Sequence, residues 1–348
     1  MFSLLKPFIF KIDPEMAHDL AIKSLKYNFL PEDVFKVENE EILETELFHT
    51  RIKNPIGLAA GFDKSAEVYN SLFRFGFGFI EVGTVTPKKQ FGNPKPRVFR
   101  LEKDRALINR LGFNNDGLEK ISKRLQKNSP NGFLGINIGP NKDSENRIDD
   151  YVKCLKEIHE FADYITINIS SPNTPGLRDF HKENTLQNLL KNINDFVKKN
   201  KIKKPLALKV SPDIQDSEIS DIMELIKKFN ISGVIISNTT DRNRENLLGK
   251  NKSEAGGLSG EPLNKISNSL IKKFYKHTKG KITIIGVGGV NSGLTAYEKL
   301  KSGASFLQLY TGMVYEGPGI VKKIKSELID ILEKEKIKNI SEIVGTGS

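Results

Sequence analysis

Residues 282–293 read I-T-I-I-G-V-G-G-V-N-S-G. A short run rich in isoleucine enters paired glycines and then a segment with helical spacing. Two architectures use such strand, glycine turn and helix units. A doubly wound dinucleotide-binding sheet places G-x-G-x-x-G directly after its first strand. Here Asn291 stands where the third glycine belongs, in the frame set by Gly286 and Gly288, and the run comes late in the chain. The first comparable run leads instead into A-A-G-F-D-K (59–64). The dinucleotide fingerprint is therefore rejected. The stretch reads as the seventh strand of a barrel, with glycines that let the backbone approach an anion.

Working outward, the same rhythm recurs. Apolar runs occur at Ile56–Ala60, Phe79–Gly83, Phe133–Ile138, Tyr164–Ile169, Leu206–Val210, Val234–Ser237, Ile282–Val287 and Phe306–Tyr310. Each is nearly continuous rather than alternating, as expected of a parallel strand covered on both faces. Segments of helical period follow, among them Asp216–Phe229, Leu263–His277 and Gly319–Glu335. Eight β–α units in succession predict an α/β protein of the (β/α)₈ TIM-barrel class. One insertion, Thr86–Asn115, separates the second and third units. Its P-K-P-R-V-F-R-L and A-L-I-N-R-L-G-F segments, joined by E-K-D-R, read as a hairpin over the barrel mouth.

The 348 residues carry 38% hydrophobic and 28% charged side chains, which describes a globular chain rather than a disordered one. No apolar run approaches the roughly 20 residues that span a bilayer. The N-terminal M-F-S-L-L-K-P-F-I-F-K-I is short, lacks a small-residue cleavage site and runs into Asp13-Pro14-Glu15, so a secretory signal is not expected. The one cysteine, Cys154, excludes an internal disulfide and lies on a helical pattern. The five histidines lack metal-ligand spacing, so no metal is expected. The net charge of +11 raises nucleic-acid binding. The lysines, however, are spread along helical faces with acidic neighbours, and no nucleic acid partner is expected.

The first 40 residues stand outside the barrel. Phe2–Ile12 reads as a short helix interrupted by Pro7, and Pro14–Tyr27 as a second with Pro14 at its first position. Met16, Ala17, Leu20, Ala21 and Leu25 share one face of the second helix. The pair either packs on the barrel or offers an apolar surface to a membrane. In the second case Phe2, Leu4, Leu5, Phe8 and Phe10 would supply ~1.5–3 kcal/mol per large side chain.

Barrels of this class act at the C-terminal ends of their strands. The polar residues there form a coherent set: Lys64 after strand one, Thr84 after two, Asn137 on three, Asn168, Ser171 and Asn173 after four, Lys209 on five and Ser237-Asn238-Thr239 after six. Gly288-Gly289 and Tyr310-Thr311-Gly312, after strands seven and eight, suit a phosphate. Two lysines and several asparagines suit a flat anionic ligand with an imide edge, since a lysine is a point charge and an asparagine both donates and accepts.

These stretches also carry a resemblance. N-P-I-G-L-A-A-G-F-D-K (54–64), I-E-V-G-T-V-T-P (80–87), L-I-N-R-L-G-F-N-N (107–115), G-I-N-I-G (135–139), I-N-I-S-S-P-N-T-P-G-L-R (167–178), G-G-L-S-G-E-P-L (256–263) and I-I-G-V-G-G-V (284–290) closely resemble dihydroorotate dehydrogenase, through essentially the whole chain. The resemblance implies an FMN enzyme that oxidises dihydroorotate to orotate in pyrimidine synthesis. The serine at position 171, where the soluble class 1 enzymes carry cysteine, points to the quinone-dependent class 2. So does D-P-E-M-A-H-D-L (13–20), which resembles the class 2 extension. The implied division is a docking extension for quinone and membrane over 1–40 and a catalytic barrel over 41–340. The implied place is the cytoplasmic face of the inner membrane, as a peripheral protein.

By the same resemblance, Ser171 would take the proton from C5 of dihydroorotate while hydride leaves C6 for the flavin. Lys64, Asn109, Asn168, Asn173, Asn238 and Thr239 would hold the substrate, with Lys64 at its carboxylate. The backbone of Arg110, Leu111, Gly112 and Phe113 would line the same pocket. Ala59, Ala60, Gly61, Thr84, Asn137, Asn168, Lys209, Ser237, Gly260, Gly289, Tyr310 and Thr311 would hold FMN, with Lys209 near the N1–O2 edge of the flavin. Ser237 replaces the threonine of many relatives and keeps the hydroxyl. Three alternatives stand beside this reading. They are a class 1 enzyme linked to fumarate or NAD, a tRNA-dihydrouridine synthase, and a non-catalytic phosphate-binding barrel.

Overall fold

The computed structural model describes residues 2–27 and 40–348. Helices α1 (Phe2–Ile9) and α2 (Pro14–Leu25) come first, followed by a small hairpin of β1 (Thr45–Leu47) and β2 (Thr50–Ile52). The barrel begins with β3 (Ile56–Leu58), α3 (Tyr69–Phe73) and β4 (Phe79–Val85). The insertion then supplies β5 (Val98–Leu101) and β6 (Ala106–Asn109). The chain continues through α4 (Leu118–Lys127), β7 (Phe133–Ile138), α5 (Arg147–Ile158), β8 (Tyr164–Asn168), α6 (Glu183–Lys199), β9 (Leu206–Val210), α7 (Asp216–Lys228) and β10 (Gly233–Ile236). It ends with β11 (Gly257–Gly260), α8 (Asn264–Thr278), β12 (Thr283–Val287), α9 (Gly293–Lys301), β13 (Phe306–Leu309), α10 (Thr311–Glu316) and α11 (Ile320–Lys334).

Strands β3, β4, β7, β8, β9, β10, β12 and β13 pair in parallel in that order, and β13 returns to β3 to close the barrel. The protein is a (β/α)₈ barrel. Each strand is buried on both faces, which is why its sequence shows no alternation. The outer helices bury one stripe each, such as Leu186, Leu189, Leu190 and Ile193 of α6.

Inside the barrel the two-residue period sorts the chemistry by height. The lowest inward layer is apolar and includes Phe79, Phe133, Tyr164, Ile235 and Phe306. Glycines make room for its rings: a Cβ on Gly135 would lie 2.2 Å from the Tyr164 ring, and one on Gly57 2.4 Å from that of Phe79. The β1–β2 hairpin stoppers this end with Leu47 and Phe48. Two residues further along the strands come Glu81, Thr166, Lys209 and Gln308, all buried and polar. Above them the barrel opens.

The insertion covers that opening, but as three strands rather than two. Strand β11 adds antiparallel to β6, from Gly257↔Asn109 to Gly260↔Ala106. Its glycine-rich sequence has little strand propensity. Packing demands the glycines: a Cβ on Gly257 would lie 1.9 Å from Thr239 Oγ1, and Gly260 has φ +103 with Arg105 O pressed against it.

The N-terminal region departs from expectation in one respect. Helix α1 runs through Pro7 without interruption. The proline forfeits one hydrogen bond, yet the helix persists, with Phe2 against Gly317 at its start and the residues just past its end held by α10 and the insertion. Phe10 stacks edge-on against Tyr315 at 5.4 Å, and Arg100 Nη1 donates to the Phe10 and Ile12 carbonyls at 3.2 and 2.7 Å. Helix α2 starts as expected, with Pro14 first and the Asp13 carboxylate accepting from the Glu15 and Met16 amides. Ile22 and Leu25 pack on the barrel, whereas Leu4, Leu5, Phe8, Met16 and Leu20 remain more than half exposed. The boundary drawn at residue 40 falls at the end of a stretch, 28–39, that lies outside the described residues.

Candidate active site

One cavity at the open end of the barrel gathers residues from seven of the eight strand ends and from the insertion. Of the residues singled out from the sequence, Ala59, Ala60, Gly61, Lys64, Thr84, Asn109, Leu111, Gly112 and Phe113 line it. So do Asn168, Ser171, Asn173, Lys209, Ser237, Asn238, Thr239, Gly260, Gly289, Tyr310 and Thr311. Two do not. Asn137 lies just beneath the wall, bound to Thr84 and Asn168. The Arg110 guanidinium turns outward to Glu254 and the Pro96 carbonyl, over the ring of Phe99.

The floor is a directed hydrogen-bond chain. Asn137 Nδ2 donates to Glu81 at 2.8 Å, so its Oδ1 faces up and accepts from Thr84 Oγ1 at 2.6 Å and Asn168 Nδ2 at 3.1 Å. Asn168 Oδ1 in turn accepts from Ser170 Oγ at 2.9 Å, and Ser170 Oγ accepts from Asn238 Nδ2 at the same distance. Ser170 stands in the polar set that closes the fourth apolar run but has no role assigned from sequence, and Glu81 is not singled out there. A charged residue inside the apolar run F-I-E-V-G was the available signal for Glu81.

Ser171 is buried, and its Oγ accepts the Asn173 N–H at 3.2 Å. The loop that carries it is pinned from outside. Arg178 donates to the Ser170 and Thr239 carbonyls at 3.2 and 2.9 Å and is paired with Asp213 at 3.0 Å. The buried His181 accepts the Ser211 N–H on Nε2 and donates from Nδ1 to the Arg178 carbonyl, a neutral tautomer maintained because burial lowers its pKa. Asn93 reaches over from the insertion to the Asn173 carbonyl at 3.2 Å.

The two cavity lysines lie in different settings. Lys64 opens only onto cavity space, and burial pushes its ammonium down to about 8. Its Nζ stands 3.2 Å from Nε2 of His18 on α2, whose own pKa falls to about 3 through burial and the neighbouring ammonium. Lys209 is also pushed down by burial, with Glu81, 3.9 Å away, opposing the shift. Lys209 Nζ has no hydrogen bond among the described residues.

A flavin mononucleotide fits this wall. Gly289, Val290, Thr311 and Gly312 line the cavity, and their N–H groups make no hydrogen bond among the described residues. That is a nest for a phosphate. Gly289 (φ +75) and Gly288 (φ +108) hold backbone conformations that disfavour other residues. The unbonded Lys209 ammonium offers a cation to an electron-rich ring edge. No cluster of histidine, cysteine, aspartate or glutamate among the described residues could hold a metal. Cys154 is buried on α5, its Sγ 3.7 Å from the Val85 carbonyl and outside the cavity.

A second, apolar cavity lies between α1, α2 and the barrel, lined by Phe2, Ala17, Ala21, Leu25 and Val314 among others. Lys64, Val98, Leu107, Leu111 and Tyr310 belong to both cavities. At its rim, Arg97 forms a two-point ion pair with Glu15, at 3.0 and 2.6 Å.

The sequence profile of the family described as dihydroorotate dehydrogenase matches residues 42–332. A relative from Rhodospirillum rubrum, named dihydroorotate dehydrogenase (quinone), is 43% identical and aligns over 99% of this chain and 94% of its own. One from Bartonella tribocorum with the same name is 47% identical, over 96% and 93%. A crystal structure of the Eimeria tenella enzyme, described as DHODH in complex with ferulenol, superposes with a TM-score of 0.91 at 38% identity. The match covers 96% of this chain and 95% of that one.

Proposed function

This chain belongs to the dihydroorotate dehydrogenase family, and from that premise we propose that it is the quinone-dependent enzyme, oxidising dihydroorotate to orotate in pyrimidine synthesis. FMN, when bound, supplies the hydride acceptor and passes the electrons on to a quinone. The observation that carries this reading is the pair of abutting cavities. A polar, anionic substrate and an apolar electron acceptor need separate pockets that share a wall, and here the shared wall includes Lys64, Leu107 and Tyr310.

Within the polar cavity, Lys64 meets the substrate carboxylate. Asn109, Asn168, Asn173, Asn238 and Thr239 meet its amide and carbonyl groups, Asn168 and Asn238 oriented by the network described above and Asn173 Nδ2 donating to Asn109 Oδ1 at 3.3 Å. Ser171 faces C5 and takes its proton. The loop around Ser171, closed by Arg178, His181 and Asn93, excludes water from that transfer. Gly289, Val290 and Thr311 receive the cofactor phosphate, and Lys209 meets the flavin ring.

The apolar cavity receives the quinone, and α1 with α2 forms the docking extension. No helix among the described residues is long and apolar enough to cross a membrane. The exposed Leu4, Leu5, Phe8, Met16 and Leu20 suit shallow insertion instead, holding the protein as a peripheral component at the cytoplasmic face of the inner membrane. Class 1 enzymes and tRNA-dihydrouridine synthases use a cysteine in the active-site loop. The one cysteine here is shut away behind β4, which disfavours both.

The quinone end is tested by Ala21→Phe, which fills the apolar cavity without touching the polar one. Flavin reduction by dihydroorotate is expected to proceed at its original rate, while reoxidation by a short-chain quinone slows about tenfold or more. Equal slowing of both half-reactions would contradict the assignment.

A further inference from the structure

Glu81 is the wholly buried carboxylate on the barrel axis, one layer below the cavity. Four neutral donors converge on it: Asn137 Nδ2 at 2.8 Å, Tyr164 OH at 2.8 Å, Thr166 Oγ1 at 3.1 Å and Gln308 Nε2 at 2.9 Å. They come from three other strands, β7, β8 and β13, so the carboxylate is fixed in three dimensions. A carboxylate so placed is expensive to bury, and a core of this size could have been filled with apolar residues. Its position explains its presence. Lys209 Nζ lies 3.9 Å above it and has no hydrogen bond among the described residues.

We propose that Glu81 is a positioning residue for the reaction, holding Lys209 protonated under the flavin ring and orienting the amides of the cavity floor through Asn137. The proposal rests on the reading above, in which Lys209 meets the flavin. The second part follows from polarity. A carboxylate accepts, so Asn137 must turn its amide nitrogen down and its oxygen up. Asn168 must then present nitrogen to Asn137, which leaves its oxygen for Ser170. One acidic group therefore sets the direction of the chain that ends at Asn238.

The first part follows from charge. The ionisable groups facing the barrel axis from the strands around Lys209 are Glu81 on β4 and Tyr164 on β8, and Lys64 lines the same cavity. Burial pushes the Tyr164 phenol well above its usual range, so it stays neutral. Burial pushes Lys209 down, and the charge of Glu81 is what opposes it. Removing that charge lets Lys209 shed its proton at lower pH, and with it the strongest donor to the flavin.

The test is the FMN dissociation constant of reconstituted protein, read from FMN fluorescence across a pH series. Glu81→Gln is expected to weaken FMN about tenfold and to move the pH at which affinity is lost to a lower value. In the double variant with Lys209→Met, that pH dependence should vanish. A merely structural role for Glu81 would change affinity or melting temperature without a titration that depends on Lys209. If the glutamine variant does not fold, Glu81→Asp keeps the charge and withdraws it by one methylene. It should move the midpoint the same way by less. An unmoved midpoint in the folded variants overturns the proposal. Unchanged protein that takes up no FMN would instead overturn the reading on which it rests.

Discussion

Replacing Ser171 by alanine is expected to leave FMN bound and orotate affinity within a few-fold of its original value, while flavin reduction by dihydroorotate slows by about 10²–10⁴-fold at neutral pH. The loop geometry keeps the two effects apart. In the proposed assignment substrate is held by the side chains of the asparagines and of Lys64, none of which hydrogen-bonds the Ser171 side chain. The Ser171 hydroxyl accepts only the Asn173 N–H, at 3.2 Å, within a loop held by Arg178 and Asn93. Its deletion therefore removes the proposed proton acceptor without freeing the loop. Rapid mixing under anaerobic conditions, with absorbance at the flavin band, measures the rate directly. A rate within a few-fold of the original would remove Ser171 from the proton transfer.

The second large effect is on pH. Lys64 titrates at about 8 in the folded, ligand-free protein, below the ordinary 10.5, because burial disfavours its ammonium. The folded state thus binds fewer protons than the unfolded chain between those values. The burden on stability, on the order of 3 kcal/mol, is present in full below about 8 and lifts as pH rises towards 10.5. Ligand binding runs the other way. Orotate is an anion and selects the protonated lysine, so its affinity should be level up to about 8 and then fall by as much as tenfold per pH unit. His18 adds no step near neutrality, since its pKa lies at about 3. In Lys64→Met the affinity should be about 10–100-fold weaker and independent of pH through this range. Isothermal titration with orotate at a series of pH values reads both features. A wild-type affinity that stays level well above pH 8 would take Lys64 away from the carboxylate.

The barrel was legible because its signal is one of composition. A parallel strand buried on both faces must be apolar throughout, and all eight runs fell where the strands are. The strand ends were legible for a related reason: Asn168, Lys209 and Ser237 are polar residues closing apolar runs. What the sequence did not disclose depends on contacts between distant segments. Strand β11 carries no strand signal, since Thr239 and Arg105 leave room only for glycine at two of its four positions. Pro7 reads as a helix breaker, yet α1 runs through it, and Phe10 just past its end is held by Tyr315 and Arg100. Glu81 stands in an apolar strand with its partners on three others, so nothing local reveals what it supports. The proximity of His18 to Lys64 joins residues 46 positions apart, on elements whose docking no periodicity encodes.

The central claim is that one chain couples a polar oxidation to an apolar acceptor through a bound flavin. It is tested most directly by the visible spectrum of the purified holoprotein under anaerobic conditions, with dihydroorotate added first and a short-chain ubiquinone second. The flavin bands are expected to bleach on the first addition and return on the second. Bands that fail to bleach with FMN in place, or that return only with fumarate or NAD, would contradict it.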